Sequence, residues 1–290
     1  LDKHSEDSKV ASTKIRIVRE IGLKGIIEAG VKFILDRVNR NDTKESNTGD
    51  CSAATNTGYC SAATNTGYQS AATNTGNRSA ATNTGERSVA TNTGYCSAAT
   101  NTGNQSAATN TGDCSAATNT GNYSAATNTG NYSAATNTGD CSAATNTGNR
   151  SAATNTGYCS SATNTGYQSA ATNTGYCSSA TNTGERSVAT NTGNCSAATN
   201  TGYQSAATNT GDYSAAIVTG CESIAIATGY QSKAKGAIGC FIVLAEWYED
   251  DDGNYHIKTV KANKVDGKTI KADTFYILKN GEFVEVDNDE

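Results

Sequence analysis

Ten cysteines hold most of the reactive chemistry in this chain, and eight of them fall at one position of a nine-residue period. Cys141, Cys159, Cys177 and Cys195 follow one another at intervals of 18. A thiol column of this kind has three readings: free thiols, disulfides between neighbouring coils of an exported chain, or a metal–thiolate column. Geometry weighs against the second. In-register residues on neighbouring rungs hold Cβ atoms about 4.8 Å apart, whereas a disulfide prefers roughly 3.8 Å, so local twist at a turn must close the gap. Free thiols lead, and no metal or cofactor is expected.

Other catalytic chemistry is thin. His4 and His256 are the two histidines, and neither has Cys, Asp or Glu at metal-ligand spacing. The many Ser recur inside the repeat with no His in register, which disfavours nucleophilic catalysis. Asp250, Asp251, Asp252 and Asn254 resemble a calcium loop, but the Gly and distal Glu spacings are wrong and a solvated turn is expected. Six units read Gly-Asn-x-Ser, for example at Asn104 and Asn122. These match a glycosylation sequon, but Asn after Gly in a turn already explains them. The chain reads as a non-enzyme.

The element that positions these residues is a repeat. Gly recurs every nine residues from Gly49 to Gly229, 20 intervals and hence 21 units of the form Gly-x-x-Ser-x-Ala-Thr-Asn-Thr. Ser at the fourth place (Ser52 through Ser232) and Ala at the sixth (Ala54 through Ala234) hold in all 21 units. The fifth place is mostly Ala but also takes Val89, Val188, Ser161, Ser179, Ile224 and Lys233. Side chains on a strand alternate between its faces. The fixed Ser and Ala therefore point into a narrow interior, together with Asn56 and its equivalents. The fifth place, Thr55 and Thr57 point out. Gly and the two variable residues form the turn, where Gly is expected to supply a positive φ and Asn or Asp to tolerate one.

Nine residues cannot close a coil that needs two strands and two turns, but 18 can. The unbroken cysteine series alternates with Arg150, Gln168, Arg186 and Gln204, so like side chains stack at a spacing of 18. The expected fold is all-β: a parallel β-solenoid of about ten coils, with an N-terminal helical cap and a small C-terminal antiparallel β domain. Three segments follow: residues 1–46, 47–236 and 237–290. The total absence of Pro fits, because Pro would delete a ladder hydrogen bond. Composition agrees, since 36% hydrophobic residues with 4 Phe and 1 Trp cannot fill a thick core. The absence of Met makes a processed or truncated chain the expectation. No run of 18 apolar residues predicts a membrane span, and a net charge of −5 does not suggest nucleic acid.

The flanks differ in kind. Ile27, Val31, Ile34 and Val38 follow a helical spacing and predict a capping helix within 11–40, with Ile15, Ile17 and Ile21 as an alternative entering strand. Four strands are predicted downstream: Cys240 to Tyr248, Tyr255 to Val265, Phe275 to Leu278 and Phe283 to Val286. The Asn280-Gly281 pair gives the last two a hairpin signal. Ile217, Ile224 and Ile226 take outward places in the last coils, so the C-terminal domain or another chain is expected to cover them. With Phe241 and Trp247 they form the predicted interface for self-association or for another fibre component.

The segment Ser223-Ile-Ala-Ile-Ala-Thr-Gly-Tyr-Gln-Ser-Lys-Ala-Lys-Gly236 resembles the Ser-x-Ala-x-Gly head repeats of YadA-type trimeric adhesins. The resemblance covers about two thirds of the chain, with related repeats in fibrous phage proteins. It implies a β-roll at a bacterial surface or on a virion, and so an extracellular setting. The unit departs from that family in having nine residues rather than seven, apart from the last, and no heptad stalk or anchor barrel follows in this sequence. The repeats also faintly resemble the Gly-Tyr-x-Ser-x-x-Thr units of ice-nucleation proteins, and the C-terminal segment resembles tail domains of uncharacterised bacterial and prophage repeat proteins. The leading expectation is a structural or adhesive module, a rigid fibre or spacer. The alternative is ice binding through outward Thr-x-Thr arrays such as Thr64, Thr66, Thr82, Thr84, Thr100 and Thr102, similar to those of insect antifreeze proteins. Thr on an exposed sheet also needs no function, because it has good β propensity.

Overall fold

The computed structural model describes residues 2–3, 10–11 and 44–287. Near the N-terminus a two-residue strand Asp2–Lys3 pairs antiparallel with Val10–Ala11. His4, the expected helix and its alternative strand lie outside the described residues.

From Lys44 onward the chain is a parallel β-solenoid. Each repeat contributes one four-residue strand, such as Ala107–Asn110. That strand pairs in register with Val89–Asn92 and Ala125–Asn128, two repeats away on either side. Successive repeats alternate between two sheets, so one coil comprises two repeats, as the cysteine spacing requires. Each sheet has 13 strands, of which the last two come from the C-terminal hairpins. That leaves 11 rungs, and at about 4.8 Å per rung the solenoid is about 50 Å long. The first rung, Lys44–Asn47, precedes the first repeat glycine and pairs with Ala62–Asn65.

The interior is small and polar. The sixth-place Ala is fully buried from Ala63 to Ala234, and Asn from Asn65 to Asn209 and the fourth-place Ser from Ser61 to Ser232 are buried with it. A buried amide is tolerated only when it is hydrogen-bonded. Asn128 shows how each one is satisfied. Its Nδ2 donates to the Ser115 and Ala134 carbonyls across the interior, at 3.0 and 3.2 Å, and its Oδ1 accepts from the Gly130 N–H at 2.8 Å. The Asn column therefore stitches the two sheets together. The Ser column runs along the axis: Ser124 N–H donates to Ser142 Oγ, while Ser124 Oγ donates to the Gly103 and Asn122 carbonyls. No buried side-chain nitrogen or oxygen among the described residues lacks a partner.

The turn differs from its expectation. Positive φ falls on the third place, at 50–55° in all 21 units from Cys51 to Gln231, and not on the repeat Gly. Gly is required for another reason. A Cβ on any glycine from Gly67 to Gly229 would meet the carbonyl oxygen of the glycine one rung earlier at 1.8–2.1 Å. The turns stack too tightly for a side chain there. Asn and Asp at the second place also act differently from expectation, by tying turn to turn. Asn122 N–H donates to Asn104 Oδ1, and Asp140 N–H donates to Asn122 Oδ1.

The C-terminal segment is antiparallel, as expected, and its hairpins prolong both solenoid sheets. Phe241–Glu249 pairs parallel with Ile224–Ala227 and antiparallel with Tyr255–Lys264, with a bulge between Glu246 and Trp247. Phe275–Lys279 pairs antiparallel with Lys233–Gly236 and with Glu282–Val286. The Asn280-Gly281 turn has φ of 53° and 75°, the two positive values a tight hairpin needs. Between the hairpins lies an apolar core that includes Ile242, Leu244, Val265, Ile270, Tyr276 and Leu278.

Because the hairpins continue the sheets lengthwise, they do not fold over the isoleucine stripe. Ile217 and Ile226 are half-buried, like the threonines at the same place of other units, and Ile224 is half-buried like the fifth-place alanines.

Candidate functional site

Three surface features repeat along the rod: an open groove on each edge, the cysteine column in one of them, and the threonine faces. Each groove runs between the third-place side chains and the small fifth-place side chains, over a floor of Ser. One holds about 780 Å3 and is walled by Arg78, Cys96, Cys114, Tyr132, Arg150 and Arg186 among others. The second holds about 760 Å3, and Cys141, Cys159, Cys177 and Cys195 line it.

These four cysteines sit one rung apart on one edge, because the strands that follow them pair in register: Ala143↔Ser161, Ser161↔Ser179 and Ser179↔Ala197. Their φ values, 50–54°, give all four Cα–Cβ bonds the same direction. The turn backbone fixes their pitch. Cys141, Cys159 and Cys177 N–H groups donate to the carbonyls of Tyr158, Tyr176 and Asn194 one rung on, at 2.8, 2.9 and 3.0 Å. All ten cysteines are free thiols, and Cys240 alone is buried. On the opposite edge Cys96 and Cys114 are likewise one rung apart. Cys195 Sγ donates to the Tyr176 hydroxyl at 3.3 Å, and the Tyr158 and Tyr176 rings stack with centroids 5.5 Å apart. Desolvation, then the neighbouring Cys195 and Cys159, push the Cys177 thiol upward. The Tyr176 phenol is raised to about 12 by its hydrogen bond with Cys195 and by that group's charge.

The threonines form columns of their own. Thr64, Thr82 and Thr100 are in register on three consecutive rungs of one sheet, half-buried on its outer face. Thr66, Thr84 and Thr102 lie two residues further along each rung and are exposed. The opposite sheet carries the equivalent columns, for example Thr109↔Thr127.

The predicted interface residues divide. Ile224 and Ile226 lie in register with Phe241 and Val243 on the outer face of one sheet, and Phe241 is 46% exposed. Ile217 lies on the other sheet, beside Lys235. Trp247 is half-buried, and its indole N–H donates to the Thr228 carbonyl at 3.0 Å, which anchors the hairpin to the solenoid.

Sequence reasoning missed one polar site, around Glu246. Its carboxylate accepts from Lys258 Nζ at 2.8 Å and from the Asn280 and Gly281 N–H groups at 3.0 and 2.7 Å, clasping one hairpin to the other. Lys258 foremost, and these backbone donors, hold it below the usual carboxylate range. Only its position inside an otherwise apolar strand signalled this. His256 Nε2 lies 2.8 Å from Asp250 Oδ2, and Asp250 also accepts from the Asp252 and Asn254 N–H groups, as a turn-organising carboxylate does. Among the described residues no group of three or more His, Cys, Asp or Glu is placed to hold a metal ion, and no helix is long and apolar enough to cross a membrane. In comparisons with protein-family models, with curated proteins and with solved structures, the chain matches none.

Proposed function

We propose that the chain is a non-enzymatic rigid module, a spacer or adhesive fibre segment of a bacterial surface or phage particle. The observation that carries this reading is the uninterrupted register from Lys44–Asn47 to the hairpins, with every coil built alike. Such a body sets a distance, and its exposed turn residues vary freely without touching the interior. The apolar end formed by Ile224, Ile226 and Phe241 is the surface for joining a second copy or another fibre component. Removing two coils, residues 104–139, tests the reading. A spacer shortens by about 10 Å in small-angle scattering and remains folded. Loss of folding on that deletion argues against a modular rod.

The in-register threonine columns favour a second reading, ice binding. Hydroxyl and methyl groups would repeat at about 4.8 Å between rungs and about 6.7 Å along the strand. Thermal hysteresis that is present in the intact chain and lost in Thr82→Tyr would transfer the preference to this reading.

A further inference from the structure

We propose that the cysteine columns bind soft, two-coordinate metal ions of the copper(I) and silver(I) class, each held between thiolates of neighbouring rungs. The argument begins with pitch. A zinc–thiolate bond is about 2.3 Å, and a linear sulfur–metal–sulfur unit with bonds of that order spans about 4.6 Å. Parallel rungs are about 4.8 Å apart. Side chains that leave the backbone in the same direction one rung apart therefore present sulfurs at the separation such an ion requires. A disulfide needs its sulfurs at about 2.05 Å and its Cβ atoms near about 3.8 Å. The turn hydrogen bonds from the Cys141, Cys159 and Cys177 N–H groups resist that closure.

Ligand chemistry points the same way. Thiolates select soft ions. Zinc takes four donors, and no group of even three is assembled among the described residues. Two thiols per ion are what the column offers. Binding breaks two S–H bonds, forms two S–metal bonds and releases two protons, with no change in oxidation state.

The groove is also locally adapted. Ser replaces Ala at the fifth place in only two units, Ser161 and Ser179. These are the units of Cys159 and Cys177, the two central members of the column, and both serines line the same groove as the thiols. Column pairs Cys141/Cys159 and Cys177/Cys195 hold one ion each, and Cys96/Cys114 on the opposite edge holds a third.

The test is titration of the reduced full chain with silver nitrate in chloride-free buffer, read by native mass spectrometry. Three retained ions per chain are expected. Two double variants with equal numbers of thiols then isolate adjacency. Cys141→Ser with Cys159→Ser leaves Cys177 and Cys195 neighbouring and should retain two ions. Cys159→Ser with Cys195→Ser leaves Cys141 and Cys177 two rungs apart and should retain one. Equal uptake by the two variants overturns the proposal, because uptake would then follow thiol number alone. So does a reduced chain that retains no silver, and so does a chain isolated without reductant that is lighter by two hydrogens per pair and takes up no silver until it is reduced, since the native column would then be a disulfide ladder.

Discussion

The repeat body and the C-terminal hairpins share two continuous sheets but are held together by opposite means. In the body, nothing larger than Asn is buried from Ala54 to Asn209, and the interior there is a lattice of amide and hydroxyl hydrogen bonds; Val218, in the last coils, is the larger exception. Between the hairpins the interior is Ile, Leu, Val and Tyr, and polar groups are confined to a few carboxylates at its margin. A lattice of this kind has no slack: each group serves donors and acceptors at set positions, and every rung reuses them. An apolar core is non-directional and tolerates exchange of shape at constant volume. The two halves should therefore fail under different insults.

Bulk is the first. Gly121→Ala puts a methyl 1.9 Å from the Gly103 carbonyl oxygen, and backbone cannot yield there without parting two rungs. We expect a loss of about 3 kcal/mol or more, seen as a lowered thermal midpoint and new protease cleavage in mid-rod. At the entry to the hairpins, Gly239 has φ of 87° and nothing within 4 Å of a Cβ. Gly239→Ala carries only the conformational cost, about 1–2 kcal/mol. Equal losses would erase the contrast.

Polarity is the second. Asn128→Asp keeps the shape but cannot donate to Ser115 and Ala134, so two buried carbonyls lose their partner and a charge is buried. A cost of about 2–4 kcal/mol is expected. Leu244→Met, at a fully buried site between the hairpins, should cost less than about 1.5 kcal/mol. Denaturant melts of the two variants side by side make the comparison.

The body was legible in the sequence because every unit repeats the experiment. Tolerance of Lys233 at the fifth place against invariance of Ser and Ala separated outside from inside, and the cysteine series revealed the coil length. What the repeat could not convey was the cause of its invariant Gly. Composition suggests a turn φ, whereas the constraint is the carbonyl of the glycine two repeats earlier, and no local pattern carries that information. The Asn column was assigned to the interior without its role, since its partners lie on the other sheet. The hairpin strands were placed almost to the residue by Asn280-Gly281 and the apolar runs. How those hairpins dock was not legible, because Glu246 reaches Asn280 and Gly281 on the other hairpin, far along the chain. The hairpins do not supply the expected cover over the isoleucines, because strand pairing at the open solenoid end, with its unpaired edge groups, directs them along the axis; cover by another chain is the other half of that expectation.

Acid is the third insult, and it should act mainly on the hairpins, since the body has one carboxylate held below its ordinary value, the exposed Glu222 bonded by Tyr203 and Gln204. The buried side chains of the body, Ser, Ala and Asn, do not titrate. At the hairpins Glu246 is held below its ordinary value of 4.5, Lys258 foremost, and Asp266 is lowered to about 2 by the Lys268, Ile270 and Thr269 N–H groups. A carboxylate whose folded pKa is depressed stabilises the fold above its unfolded value and loses that contribution as pH falls through the folded one. Loosening of the hairpins should therefore begin below pH 4.5 and continue towards about pH 2, reported by Trp247 fluorescence. The β-sheet circular dichroism of the body should stay constant over that range. Glu246→Gln should flatten the upper part of the fluorescence profile. Simultaneous loss of both signals would mean that the two regions melt as one.

The mildest perturbation of the fold tests the apolar end. Ile224 and Ile226 stand where Ala206 and Thr208 stand one rung earlier, and they meet Phe241 and Val243 one rung later. None of these outward side chains enters either interior, so lysine at both places should change the stability of the chain by no more than about 0.5 kcal/mol each. Their effect should fall on association. Phe241 and Val260 are 46% and 48% exposed on the two hairpin strands that continue this sheet. Covering a few such side chains at roughly 25 cal/mol per Å2 contributes several kcal/mol before the entropic cost of association, and one lysine in that patch must then be desolvated. The body offers Ala and Thr at the corresponding places, with little apolar area on each. Ile224→Lys with Ile226→Lys is therefore expected to lower the mass of any assembly in light scattering while circular dichroism and protease resistance of residues 237–290 remain unchanged. An assembly of unaltered mass would place the contact elsewhere, and the repeat body would then be the adhesive region instead of the spacer.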